Sequence, residues 1–247
     1  MKSPVRALIA GLCLLTAGIA PAQEHFAVKP GFALPADRQS VIIVYRPDVH
    51  VGSLTTGGIE EPNADWTAEA RGLLADALKA DGRVTGARLI FAEEPEGDDA
   101  DYLAQYRALF SVVAGSIMEY KLFPGGRLPT KKKLFDWTLG DGVERLGRMT
   151  GADYALFMFT RDAYGSAGRK TAQVVGLLLG VYMPAGLHLG YAGLVDLKTG
   201  DIVWLNADPQ MGGDVRTSEG AAKRVTQLLE GLPARAPAAG TAVAAAK

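Results

Sequence analysis

Seven residues, Gly165-Ser-Ala-Gly-Arg-Lys-Thr171, hold the densest chemistry in the chain: two glycines, two hydroxyls and two adjacent cations. A glycine-rich turn followed by a lysine is how a phosphate loop cradles a nucleotide, but that loop needs four residues between its glycines and Lys directly after the second. Here two intervene, and Arg169 separates Gly168 from Lys170. The stretch therefore reads as a solvated loop leaving a strand. Ser166 half-fits a nucleophile elbow, with Gly168 two residues on but Tyr164 where the first glycine belongs. A hydrolytic triad would have to draw on Ser166 or Ser53, on His50 or His188, and on a carboxylate such as Asp48 or Asp196. Asp48 and His50 are alternate residues of an extended segment and share a face, which suits a polar strand rim as well as a dyad. The acidic run Glu93, Glu94, Glu96, Asp98, Asp99 and Asp101 lacks the fixed glycine and spacing of a calcium loop. No ligand set has the spacing of a metal site. These residues predict no catalytic set, no cofactor and no metal, with a periplasmic serine hydrolase as the alternative.

The elements that must carry these side chains alternate. Ser40 to Tyr45 is a β-branched apolar run of the kind buried on both faces, ended by Arg46-Pro47, and Val49 and Val51 read as a strand end before a loop through Gly58. Trp66, Ala70, Leu73, Leu74, Ala77 and Leu78 recur at helical spacing after an Asp65 cap. Arg88 to Ala92 is strand-like, and Tyr102 to Ile117 repeats at three and four. Leu122 to Lys133 is a break, and Asp136 to Met149 predicts a third helix. Ala152 to Thr160 is a central strand, and Leu189 to Leu205 a hairpin turning at Lys198-Thr-Gly-Asp201, where Gly200 supplies positive φ. Thr217 to Leu232 closes the fold as a helix. Strands alternating with helices, then a late antiparallel hairpin, predict a single α/β domain over 40–233, a mixed sheet packed by helices.

The opening residues point to export. Lys2 and Arg6 precede an uncharged, mostly apolar run from Ala7 to Ile19, and Ala20-Pro-Ala22 offers small residues for cleavage before Gln23. The expectation is a signal peptide over 1–22 and a periplasmic or outer-envelope location. Residues 23–39 read as an extended linker, and 234–247 as a disordered tail rich in alanine and proline. The chain has 26 basic and 27 acidic side chains; two of the bases and none of the acids lie in 1–22, so the remainder is formally −3. That balance argues against nucleic acid as a partner. The single cysteine, Cys13, falls within the leader, so the domain has neither a disulfide nor a thiolate site.

Thr171 to Val195 contains no formally charged residue if His188 is neutral. The local pattern fits a short buried helix followed by a core strand. The alternative is an apolar surface segment that meets an envelope protein, a second copy or, peripherally, a membrane through 172–187. On that reading Val175, Leu178, Leu179, Tyr182, Met183 and Leu187 are the contact residues.

Thr150-Gly-Ala-Asp-Tyr154 before a buried strand, and Val195-Asp-Leu-Lys-Thr-Gly-Asp-Ile-Val-Trp204 as a hairpin before a closing helix, resemble the envelope proteins that share the fold of the TolB amino-terminal domain, CsgG among them. Arg46-Pro-Asp-Val-His-Val-Gly-Ser53 and Asp136-Trp-Thr-Leu-Gly140, with the hairpin, are similar to a group of uncharacterised exported proteobacterial proteins. The resemblance implies a scaffold or accessory role by protein–protein contact and supplies no catalytic residues. No lipobox is present, unlike in CsgG.

Overall fold

Ser40-Val-Ile-Ile-Val44 has no polar face, and as β2 (Ser40–Val44) it sends Ile42 and Val44 into one apolar layer and Ile43 into the other. The same alternation runs along the longest strand, β6 (Tyr154–Gly165). Tyr154, Leu156 and Met158 face one side, and Ala155 and Phe157 the other. Helices therefore have to cover both faces. On the first lie α1 (Ala64–Ala80), through Ala70, Leu74 and Leu78, and α5 (Ser218–Leu228), through Ala221, Val225 and Leu228. On the second lie α2 (Asp98–Ile117) and α3 (Glu144–Thr150), through Leu103, Phe110, Ala114, Ile117 and Leu146. A fifth helix, α4 (Ala167–Leu178), belongs to neither layer. The computed structural model describes residues 25–81, 87–123, 128–131 and 134–234. The expected leader and nearly all of the expected tail lie outside these.

The sheet runs β1 (Phe26–Val28), β8 (Ile202–Asp208), β7 (Gly186–Asp196), β6, β2, β5 (Ala87–Phe91). Strands β2 and β5 pair in parallel, as do β2 and β6, whereas β6–β7, β7–β8 and β1–β8 are antiparallel. This is the mixed α/β domain that the alternation of elements predicts.

Four local readings change. Phe26–Val28, expected within a linker, pairs with Trp204–Asn206 and makes β1 an edge of the sheet. Arg46-Pro47 does not release the chain into a loop. Val44 pairs with Leu156 and Asp48 with Phe159, so four steps oppose three and the prolyl segment is a one-residue bulge. Beyond it β3 (Asp48–Leu54) follows β6 to its end, and β4 (Glu60–Pro62) folds back on β3. Asp136 to Leu139 is extended rather than helical: Thr138 bridges Asp201, and Leu139 N donates to Gly200 O at 2.8 Å. Helix resumes with a 3-10 turn at Asp141–Val143, after Gly140 at φ 81°. The first helix is capped by Asn63, whose Oδ1 accepts from Trp66 N at 2.9 Å, and not by Asp65.

The motifs that carried the resemblance are turn chemistry. Gly151 ends α3 at φ 67°, and the Asp153 carboxylate accepts from Val41 N at 2.8 Å and from Arg38 at 2.7 Å, tying the start of β6 to β2. Asp196 Oδ1 accepts from Lys198 N and Thr199 N, and Gly200 holds φ 77°. Trp204 is fully buried.

Candidate functional site

Strands β6 and β7 pair without interruption out to Tyr164↔Gly186. A hairpin could close there in two residues. Instead the chain leaves the sheet after Gly165 and returns at Gly186, with Ser166 to Ala185 forming an arm. Ser166 starts it by accepting Arg169 N at its Oγ, a helix N-cap, so the glycine-rich stretch expected to be a solvated loop is the first turn of α4. Gly180, at φ 76°, ends the helix: its amide donates to Leu177 O and that of Val181 to Gly176 O. The returning chain passes so close that a Cβ on Gly176 would lie 3.1 Å from Val181 O.

At its base the arm is pinned by Arg169. The buried guanidinium donates to Pro184 O at 2.9 Å and to Thr55 O and Thr56 O at 3.4 Å, joining helix, return chain and β3–β4 loop. These acceptors are all neutral carbonyls. With Ala172, Gln173 and Gly176, Arg169 forms the covered stripe of α4 at helical spacing.

The outward sector is exposed for its whole length. Leu178 is 82% exposed, Tyr182 81% and Leu177 69%, and Val174, Val175, Leu179, Val181 and Leu187 are also open. The buried-helix reading of this segment is therefore corrected: the helix packs one stripe on its own return chain and presents its large side chains to solvent. Of the contact residues expected from sequence, Val175, Leu178, Leu179, Tyr182 and Leu187 are exposed and Met183 is half-buried against Gly176. A monomer seldom leaves open so contiguous an apolar patch.

Beneath the arm lies a polar cluster that the sequence reading passed over. Thr160, Asp162 and Tyr164 extend the face of β6 that holds Leu156 and Met158. Asp162 is fully buried opposite His188 on β7. Its Oδ1 is 2.7 Å from His188 Nδ1, and Arg224 of α5 reaches both oxygens, Nη1 to Oδ2 at 2.7 Å and Nη2 to Oδ1 at 2.8 Å. Arg224 also donates to Thr160 Oγ1 and to Gly212 O. Burial alone would raise the Asp162 pKa, but the hydrogen bonds from His188 and Arg224 outweigh it and hold the carboxyl below its usual value. Alongside, the Arg216 guanidinium lies between the rings of Tyr164, at 3.8 Å, and Trp66, at 4.5 Å, while pairing with Asp214. Counting by two from Leu156 puts Asp162 on the buried face; ending the strand at Thr160 hid it.

The candidate triad residues are dispersed. Ser166 caps α4, Ser53 Oγ donates to Glu61 at 3.3 Å, His50 Nε2 lies 2.9 Å from Asp48, and His188 is held by Asp162. Among the described residues, neither serine is hydrogen-bonded to either imidazole. His50 lines a hollow of about 400 Å³ with Glu60, Thr67, Phe159 and Arg161, to which neither serine contributes. In the acidic run, Glu94 pairs with Arg107 and Arg46, and Asp99 with Arg145. Among the described residues no cluster of three or more His, Cys, Asp or Glu is arranged to hold a metal, and no helix is long and apolar enough to cross a membrane.

No family model matches the chain, and no curated protein does. Among solved structures it is similar to the PelC dodecamer from Paraburkholderia phytofirmans, at 14% identity over 85% of this chain and 98% of that one, with a TM-score of 0.38. It is similar also to lipoprotein GNA1162 from Neisseria meningitidis, at 16% identity over 68% and 80%, with a TM-score of 0.29. The LpoB C-terminal domain from Escherichia coli matches at 19% identity over 69% and 83%, with a TM-score of 0.24. Likenesses this loose leave the functional argument to the residues of this chain.

Proposed function

We propose that the protein is an exported, non-enzymatic accessory or scaffold component of the bacterial cell envelope that works by contact, with the α4 arm as its contact element. One observation carries the reading: an insertion of some twenty residues, where two would close the hairpin, exposes Leu177, Leu178, Leu179 and Tyr182 while Arg169 fixes its base. Exposed apolar surface of this extent lowers solubility and adds nothing to the domain's own core, so its use lies outside the chain. Export is supported by the charged, apolar and small-residue order of 1–22. The envelope role is supported by the resemblance of the Thr150–Tyr154 and Val195–Trp204 motifs to TolB-like and CsgG-like proteins.

A photoreactive residue at Leu178 or Tyr182 in living cells tests it. Specific adducts with an envelope protein or with lipid are expected. No adduct at either position, or ester or nucleotide turnover that disappears in Ser166→Ala or His50→Ala, overturns it.

A further inference from the structure

The outward sector of α4 changes character along the helix axis rather than around it. Near the base that sector holds Ala167, Gly168, Lys170 and Thr171; one to two turns further, the same directions hold Val174, Val175, Leu177 and Leu178. At 100° per residue the exposed apolar side chains from Val174 to Leu179 fan over roughly 200° of the helix. A helix that docks in a protein groove needs an apolar stripe about half as wide, with polar residues flanking it. A second copy meeting this arm about a twofold axis would cover one side of the fan and leave the other in water. An environment graded by depth and apolar on all sides fits the whole of it.

We propose that the arm is a shallow membrane anchor: its end, from Val174 to Tyr182, enters the boundary between acyl chains and headgroups of a bilayer, while Lys170 and Thr171 stay at headgroup level. The inference rests on the arm being the contact element and names what it contacts. Five features agree. Val174 to Tyr182 carries no formal charge. Its exposed side chains are aliphatic apart from Tyr182, an aromatic with the polar tip favoured at membrane interfaces. Val174 to Leu178 rises about 6 Å, matching the 5–10 Å depth of interfacial helices. Twelve helical residues are too few to span the hydrocarbon core, so the contact stays on one leaflet. The Gly180 turn gives the Gly176 and Leu177 carbonyls donors at the helix end, as backbone that meets lipid requires.

The test uses the full chain with vesicles of mixed phosphatidylethanolamine and phosphatidylglycerol, and with vesicles of phosphatidylcholine. Tyr182→Trp adds an indole whose emission is expected to shift to the blue and to be quenched by bromine-labelled acyl chains, relative to the parent protein. This readout is specific to the arm even if residues 1–22 also bind lipid. Leu177→Asp combined with Leu178→Asp is expected to lower arm insertion, read by that quenching, at least about tenfold. Thermal melting without lipid should stay unchanged, because both side chains are already in water. Absence of quenching, or quenching indifferent to the paired aspartates, overturns the proposal. Photoadducts with a protein but no vesicle contact would leave the contact reading standing and remove this one, as would self-association abolished by the same pair.

Discussion

Arg224 and Asp162 form a two-pronged ion pair, 2.7 and 2.8 Å, between side chains that are both wholly inaccessible to solvent. Removing the cation strands a buried carboxylate that His188 alone cannot balance. Arg224→Ala should therefore destabilise the domain by about 3–5 kcal/mol in urea unfolding. Arg224→Lys should rescue little, because a single ammonium cannot match both oxygens. A loss below 1 kcal/mol in Arg224→Ala would mean that the pair is not closed as described.

Two of the carboxylates held below their usual value, Asp214 and Asp162, shape part of the acid side of the stability profile. Arg216 holds Asp214 at about 2, and His188 and Arg224 hold Asp162 below its usual value against the opposing effect of burial. Both folded pKa values lie below the unfolded value of about 3.9, so the stabilisation is complete above that value and is lost as pH falls through the folded ones. The urea midpoint should thus decline as pH falls below about 4. Asp214→Asn should flatten part of that decline, modestly, since the Asp214–Arg216 pair is partly solvated.

Gly200 answers to two constraints. Its φ is 77°, and a Cβ there would lie 2.1 Å from Gly140 O in the segment that docks on the hairpin. Gly200→Val should lower stability by about 1 kcal/mol from the backbone alone, with the clash adding to it. Even Gly200→Ala should be clearly destabilising. A parental melting temperature in either variant would contradict the docked arrangement of Leu139 on the turn.

Arg169→Ala should act locally. It removes the donor that joins Pro184, Thr55 and Thr56, while leaving both core layers untouched. Limited proteolysis should then cut within 166–185 much faster, and amide exchange in α4 should accelerate, with little change in the global unfolding midpoint. Equal loss of protection in β6 and α5 would show that the arm and the domain unfold together.

What the sequence made legible was whatever depends on short-range period and turn chemistry. The stripe Ala70-Leu74-Leu78, the Gly200 turn and the existence of the helix over Tyr102 to Ile117 follow from a few adjacent residues. The face of that helix does not: its repeat points to Tyr102, Tyr106, Leu109 and Val113 beside Phe110 and Ile117, whereas Leu103 and Ala114 complete the buried stripe and Leu109 is exposed. What it concealed depends on partners far along the chain. Phe26–Val28 is a strand only because β8 offers an edge, and Asp136–Leu139 is extended only because the hairpin takes its bonds. At the arm, the lack of charge from Thr171 to Val195 marked the segment, but burial and exposure leave the same local signature. The deciding fact was that α4 packs on its own return chain. Asp162 is readable from the alternation along β6 once the strand is run past Thr160, but its partner Arg224, 62 residues on, leaves no periodicity to read.

Because Tyr164 and Gly186 are paired directly opposite one another, the feet of the arm stand only about 5 Å apart whatever the intervening residues do. The chain entropy of bringing them together is already settled by β6 and β7, and added length there costs little. The hairpin end is thus a socket. Replacing 165–185 with a two-residue Asn-Gly turn should leave a folded sheet, and unrelated peptides inserted at the same register should be displayed from a rigid stem. Divergent descendants could change what they touch by exchanging this one cassette, with no alteration to the layers that fold them.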